Sequence, residues 1–358
     1  MRPHDTAIDP ELARMMSAVF ARDRDRHPPR RIATWDPRLW EELSELGLTR
    51  LTGSERTGGS GAGWTEASEL LRTSVIHAVR VPLAEHDLLA GWLLETAGLP
   101  VDEARRTVCV LPPSGIARGV PWASEAERIV TVGRARDTYL LADLPAAELH
   151  ITPGVNAAGE PRDTVATDIT AHTAIPVSEN VIRQLWLRGA LIRAIQVCAA
   201  LEQCLELSIR FACERIQFGR PLARFQAVQH LLADTAAEVS LARAATESAL
   251  SCALRRDWTG ADVEFAVAVA RSCGGHAASV VVRNAHQVHG AIGTTLEHRL
   301  HEFTRPALAW RSEFGSVRHW DEHLTTAAIT AGRDGLWPLI TSSPAQQQSL
   351  PTIRRTTT

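Results

Sequence analysis

Two helix-length runs separated by a few residues constrain the fold most: LIRAIQVCAALEQCLELSIRFACE (191–214) and LARFQAVQHLLADTAAEVSLARAATESALSCAL (222–254). Each is far longer than a β-strand and mixed in polarity, so each must bury a stripe against other helices. In the second run Leu222, Phe225, Gln229, Leu232, Ala236 and Val239 recur at spacings of three and four, which predicts a mostly buried face. Helical periodicity begins at Val181 and continues, in three or four helices, to about residue 330. A four-helix bundle over 179–335 is the expected C-terminal domain.

Upstream the period changes. Residues 1–105 read as helices: PRLWEELSELGLTRL places Leu39, Leu43, Leu46 and Leu48 near one face, GGSGAGW (58–64) is a loop, and VPLAEHDLLAGWLLETAGLP is an amphipathic helix ended by Gly98 and Pro100. Residues 106–178 read as short β-branched strands, RTVCVL, RIVTVG, TYLLADL, ELHITPG and DTVATDIT, punctuated by Pro, Gly and Asp. The fold class is therefore mainly α with a small β domain (α+β). It comprises an N-terminal helical domain (1–105), a shortened middle β domain (106–178), the bundle, and a polar tail (336–358) expected to be disordered.

Composition removes several function classes. All 38 basic residues are Arg, so no Schiff-base, P-loop or general-base lysine is available. A net charge of -3 gives no electrostatic reason to expect nucleic acid or an anionic membrane. RDRDRHPPRR (22–31) reads as a solvated, locally basic segment. Cys109, Cys198, Cys204, Cys213, Cys252 and Cys273 form no CxxC pair and read as free thiols, mostly buried. The N-terminus has no signal-peptide pattern and no apolar run looks long enough for a bilayer, so a cytoplasmic protein without membrane insertion is expected.

The chemistry concentrates in the break between the long helices, ERIQFGRPLARFQAVQHLLAD (214–234). Arg215 and Arg220 offer planar forks suited to phosphate oxygens. Phe218 offers a flat apolar face, Gly219 permits close backbone approach, and Gln226 can donate and accept. A dinucleotide along a helix end would suit these groups; a plain helix–helix turn is the alternative.

This segment resembles the R-x-x-F-G-x-x-(hydrophobic)-x-x-F-Q pattern of the acyl-CoA dehydrogenase family. QVHGAIGTTLEHRLHEFTR (287–305) is similar to that family's Q-x-x-G-G-x-G segment, and the domain order also looks like that fold. The resemblance implies FAD as cofactor. It places Arg215, Phe218 and Gln226 on the pyrophosphate and adenosine side, and Gln287 and Gly290 against the FAD of a neighbouring subunit. It further implies an acyl-CoA or other acyl thioester as substrate, α,β-dehydrogenation, a dimer or tetramer of self or of dehydrogenase-like partners, and an electron-transfer flavoprotein as reoxidant. For His286, His289, His298 and His301 no matching acidic or thiolate ligands are evident, so no metal is expected.

Abstraction of the α-proton needs a desolvated Glu whose pKa is raised toward neutrality. The family's Tyr-Glu-Gly-Thr turn corresponds here to EFGS (313–316): Phe314 holds the Glu position and Glu313 lies one residue early, about 100° away if helical. Glu313 is the catalytic candidate only if that turn is remodelled. The alternative family position, on the first bundle helix, falls near Gly189; the nearest acids are Glu202 and Glu206. The family's flavin-lining β segments have no counterpart. LPPSGIARGVPWASEAE (111–127) stands there, with Trp122 as either a substitute flavin wall or core. Three readings follow: a subunit of a heteromeric dehydrogenase whose partner brings the Glu, a self-sufficient homo-oligomer using Glu313, or a non-catalytic scaffold.

Overall fold

The computed structural model describes residues 8–27 and 32–341. Helices α1 (Pro10–Arg26) and α2 (Pro37–Glu45) start where the sequence supplies a cap. Asp9 accepts from the Glu11 amide and Asp36 from the Arg38 amide, each with proline at the next position. After α3 (Trp64–Ile76), a π-helical segment (Ala84–Gly91) runs into α4 (Trp92–Thr96) and is buried almost throughout. Met16, Phe20, Leu43, Leu89 and Leu93 pack with the first half of the long helix α5 (Glu179–Glu214) in one core.

The β region is two small sheets. One has the order β1 (Arg106–Leu111), β3 (Arg128–Ala135), β4 (Thr138–Pro145), β7 (Ile175–Val177), with β1 and β3 parallel and the other pairs antiparallel. The other is antiparallel in the order β2 (Ile116–Pro121), β6 (Arg162–Ala166), β5 (His150–Thr152). All five strands read from the sequence are present. β2 and β7 were not expected, because Gly119, Pro121 and Pro176 disguise short edge pairings. Cys109, Ile129, Ala142 and Val165 form the core between the sheets.

The bundle comprises α5, α6 (Gln226–Arg255), α7 (Ala261–His289), the short α8 (His301–Trp310) and α9 (Val317–Thr341). Every residue of α5 from Leu187 to Leu201 is buried, so this helix is sheathed on all sides. Three expectations need correction. The buried face of α6 starts only at Thr235 and continues through Val239, Ala242 and Thr246; Gln229 is exposed and Leu222, Phe225 and Leu232 are half-buried, because no element among the described residues fully covers the first turns. The final helix kinks at Gly332 (φ 66°) and runs to Thr341, so residues 336–341 are helical where a disordered tail was expected. Leu336, Trp337 and Ile340 give that stretch helical apolar spacing. Residues 342–358 lie outside the described residues. Ala261–Thr294 is long and apolar enough by length and composition to cross a membrane, contrary to the sequence reading; 56% of its window is buried inside the molecule.

Candidate functional site

The break between α5 and α6 is a two-residue β-hairpin. β8 (Ile216–Gln217) pairs with β9 (Arg220–Pro221), and Phe218 and Gly219 turn the corner with φ of 53° and 77°. Two consecutive positive φ values define a type I′ turn, whose first position favours Asn or Gly. A Phe there is strained by about 1 kcal/mol, yet its ring is 91% exposed. Neither folding nor packing explains that residue, which directs attention to what it meets from outside. Arg220 stacks its guanidinium 4.2 Å from the Phe225 ring centroid. Phe225 in turn occupies the N-cap of α6, whose first-turn amides have no side-chain acceptor.

Arg215, Phe218 and Gln226 are therefore brought together at one helix junction. Gln287 and Gly290 end α7 at the same pole of the bundle, where Phe211 of α5 stacks on His289 of α7 with ring centroids 4.6 Å apart. All five candidate residues are exposed, and none makes a side-chain hydrogen bond among the described residues. Gly290 (φ 62°) closes α7 in a conformation that a β-carbon disfavours. The neighbouring histidines are packed: His289 Nδ1 lies 2.8 Å from Ala285 O, and His298 sits 4.5 Å from His289, ring to ring. Replacing Phe218 with Asn leaves the melting temperature unchanged or raises it, since Asn suits the turn. The same change weakens whatever assembles on this pole, a pairing that differential scanning fluorimetry and native mass spectrometry measure together.

The other half of the site is filled. Phe314 (φ 52°) packs against Gly189 so closely that a β-carbon there would lie 2.3 Å from the ring, while Trp186 meets that ring edge-on at 5.7 Å. The two positions at which a carboxylate was sought thus oppose each other, and hydrocarbon occupies the space between them. Arg271 holds this turn from behind, with Nη2 2.7 Å from Glu313 O and 2.9 Å from Arg311 O.

Glu313, the catalytic candidate of the sequence, is held in an ion cluster. Its carboxylate, four-fifths buried, accepts from Arg162 Nε at 2.8 Å and from Arg193 Nε at 2.7 Å. Arg193, buried completely, also binds Glu85 at 2.6 Å and Gln196 at 2.6 Å; Arg162 also binds Glu160 at 3.1 Å. Burial alone would raise the Glu313 pKa, but the Arg193 and Arg162 cations outweigh it and hold the group down to about 2. A general base for an α-proton needs the opposite shift. Because this pKa is depressed in the fold, its contribution is present above the ordinary value of 4.5 and is lost as pH falls toward 2. A shift of that size is worth about 3 kcal/mol. Asp87, pushed up to about 6 by burial, acts in the opposite sense and favours the fold on acidification. Glu313→Gln is expected to lower stability at neutral pH and flatten the loss between pH 4.5 and 2, as chemical denaturation along a pH series measures.

Sequence reasoning missed Arg162, Arg193, Glu85 and Glu160, because their charges read as surface until the fold brings them together. Trp122 is buried (4% exposed) and belongs to the core side of the alternatives weighed for it. Among the described residues, one potential ligand atom each from Asp23, His27 and Asp36 lies within 4.8 Å of the others. Both His27 ring nitrogens already face carboxylates, Nδ1 toward Asp23 at 3.1 Å and Nε2 toward Asp36 at 3.4 Å.

Residues 180–317 match the family model described as acyl-CoA dehydrogenase, C-terminal domain. Over 279 residues the chain is 27% identical to the acyl-CoA dehydrogenase IpdE2 of Mycolicibacterium smegmatis, spanning 76% of this chain and 82% of that one. A chain of the ChsE4–ChsE5 complex from Mycobacterium tuberculosis superposes with a TM-score of 0.78 at 18% identity, covering 91% of this chain and 99% of that one. A chain of the Tcur3481–Tcur3483 steroid ACAD does so with a TM-score of 0.76 at 23% identity, covering 90% and 98%.

Proposed function

We propose that the chain, whose residues 180–317 match the acyl-CoA dehydrogenase C-terminal domain, works as one subunit of a heteromeric, flavin-dependent acyl thioester dehydrogenase whose partner brings the catalytic Glu. The observation that carries this reading is the Phe314–Gly189 contact: both positions for a base lack a carboxylate, and each fills the other's space. Glu313, locked between two arginines at a pKa of about 2, argues against a self-sufficient enzyme that uses it.

The hairpin pole fits a dinucleotide. Arg215 would meet pyrophosphate oxygens, aided by the uncapped amides that begin α6. Phe218 would lie against an adenine face and Gln226 would hydrogen-bond the adenosine side. Gln287 and Gly290, at the same pole, would contact the dinucleotide of the adjoining subunit, with Gly290 allowing close approach. When bound, FAD supplies the acceptor for the hydride leaving the β-carbon. This chain's own residues would orient that cofactor and cover it from water, while the α-proton passes to a carboxylate of the partner. The exposure of Phe218 and Ile216 and the uncovered first turns of α6 support a surface that another subunit covers. The ChsE4–ChsE5 complex, whose fold this chain shares, is itself named for two components.

The deciding experiment purifies the chain alone and with a co-expressed dehydrogenase-like partner encoded beside it, then records visible spectra before and after adding an acyl-CoA. Flavin absorbance that bleaches only in the co-purified sample is the expected result. Bleaching by the chain alone would overturn the partner's role, and no flavin in either sample would leave a non-catalytic scaffold.

A further inference from the structure

Arg188, on α5, is 8% exposed, yet among the described residues its guanidinium makes no hydrogen bond and no ion pair. Three indoles enclose it instead. Its Cζ lies 4.1 Å from the ring centroid of Trp92, 4.4 Å from that of Trp258 and 5.4 Å from that of Trp64. Those rings come from the starts of α4 and α3 and from the turn between α6 and α7, so both helical regions build the enclosure. Trp64 and Trp258 also meet each other, with centroids 4.5 Å apart. The enclosure sits at the end of α6 opposite the hairpin.

An aromatic face attracts a cation, but it satisfies none of the N–H donors in the guanidinium plane. Nε is cut off from solvent without a partner. Nη1 and Nη2 are likewise unbonded but are not sealed in, so the fork opens toward the surface. Burial pulls the Arg188 pKa down to about 9, and Asp257 acts against that shift. Two other acids of this end are taken: Asp262 pairs with Arg256 at 2.6 Å and Glu264 with Arg183 at 3.5 Å. Asp257 is exposed and makes no ion pair with Arg188. It and Trp258 both hold left-handed backbone, with φ of 47° and 60°, a conformation costly for tryptophan. Water at the open edge would occupy the N–H groups but leave the charge unpaired; an oxyanion meets both demands.

We propose that the open edge of Arg188 is a binding site for a small oxyanion, a phosphate or carboxylate group received by the guanidinium fork. The fork matches two oxygens of such a group, and the indoles hold it in place, so little side-chain freedom is lost on binding. Occupancy of this site needs neither flavin nor acyl thioester.

The test titrates inorganic phosphate and, separately, acetate into the purified chain, with its partner if the two co-purify, at an ionic strength held constant with sodium chloride. Calorimetry reads affinity, and tryptophan fluorescence reads the enclosure. A saturable site for at least one of the two anions is expected, weakened by about tenfold or more in Arg188→Met. Asp257→Asn, at an exposed left-handed position that Asn tolerates, should keep the fold and tighten binding by about threefold, because a charge repelling the anion is gone. Tighter binding of phosphate identifies a phosphoryl group on the natural ligand, and tighter binding of acetate a carboxylate. No saturable binding of either anion, or full affinity in folded Arg188→Met, would overturn the site; should that variant not fold, unchanged affinity in Asp257→Asn would overturn it.

Discussion

Arg193→Met is expected to destabilise the fold by about 3–5 kcal/mol, the usual consequence of removing one partner from a buried ionic cluster. Methionine reproduces the apolar stem only as far as Nε, so the loss combines the missing charge with the space the guanidinium leaves. Among the described residues Arg193 is the cation that joins Glu85 to Glu313, and both carboxylates would stay buried with incomplete compensation: Glu85 would lose the one ion-pair partner it has there, and Glu313 would keep Arg162 and a hydrogen bond from Asn156 Nδ2 at 3.4 Å. Urea denaturation followed by far-ultraviolet circular dichroism measures the change. A second variant carrying Glu85→Gln with Arg193→Met should recover part of it, because one stranded charge is gone. If the single variant loses less than about 1 kcal/mol, the cluster is solvated and its role in the fold is small.

The second large effect is steric. Gly189→Ala places a methyl group 2.3 Å from the Phe314 ring, well inside any real contact distance, so the ring must leave or the helix must shift. Overpacking of this kind costs about 1–3 kcal/mol, and Phe314→Ala alone costs a comparable amount through lost packing. Combined, the two changes should be less destabilising than the sum of the singles by at least about 1 kcal/mol, since the void left by one receives the group added by the other. Additivity would mean that the ring and the helix do not meet. The same pair explains why simply writing a Glu at position 189 is not expected to create a dehydrogenase: the carboxylate would first have to displace Phe314.

How far the sequence foretold this arrangement differs by level. The long helices, all five anticipated strands and the hairpin's location were legible because each depends on local pattern: period 3.6 in α5 and α6, β-branched runs in β1 and β3, and Phe-Gly at a chain reversal. The state of the catalytic half was only partly legible. Counting showed a Gly and a Phe where acids were sought, but not that they touch. The ionic cluster was invisible, since Glu85, Glu160, Arg162, Arg193 and Glu313 come from distant stretches and each alone reads as a solvated charge. Arg188 makes the same point: it is buried with its guanidinium 4.1, 4.4 and 5.4 Å from the rings of Trp92, Trp258 and Trp64, an enclosure that no periodicity reveals.

The cluster also bears on the order in which the molecule forms. Glu85 lies in the first helical region, Glu160 and Arg162 at the edge of the β region, Arg193 in the bundle's central helix and Glu313 in the turn before its last helix. Its full set of contacts can close only after all three regions have been synthesised and docked, so it belongs to the final consolidation of the chain and not to its nucleus. Contacts made that late act on the rate of coming apart. Breaking them, as in Arg193→Met, should shorten the lifetime of the native protein by about a hundredfold or more while leaving the speed of refolding nearly untouched.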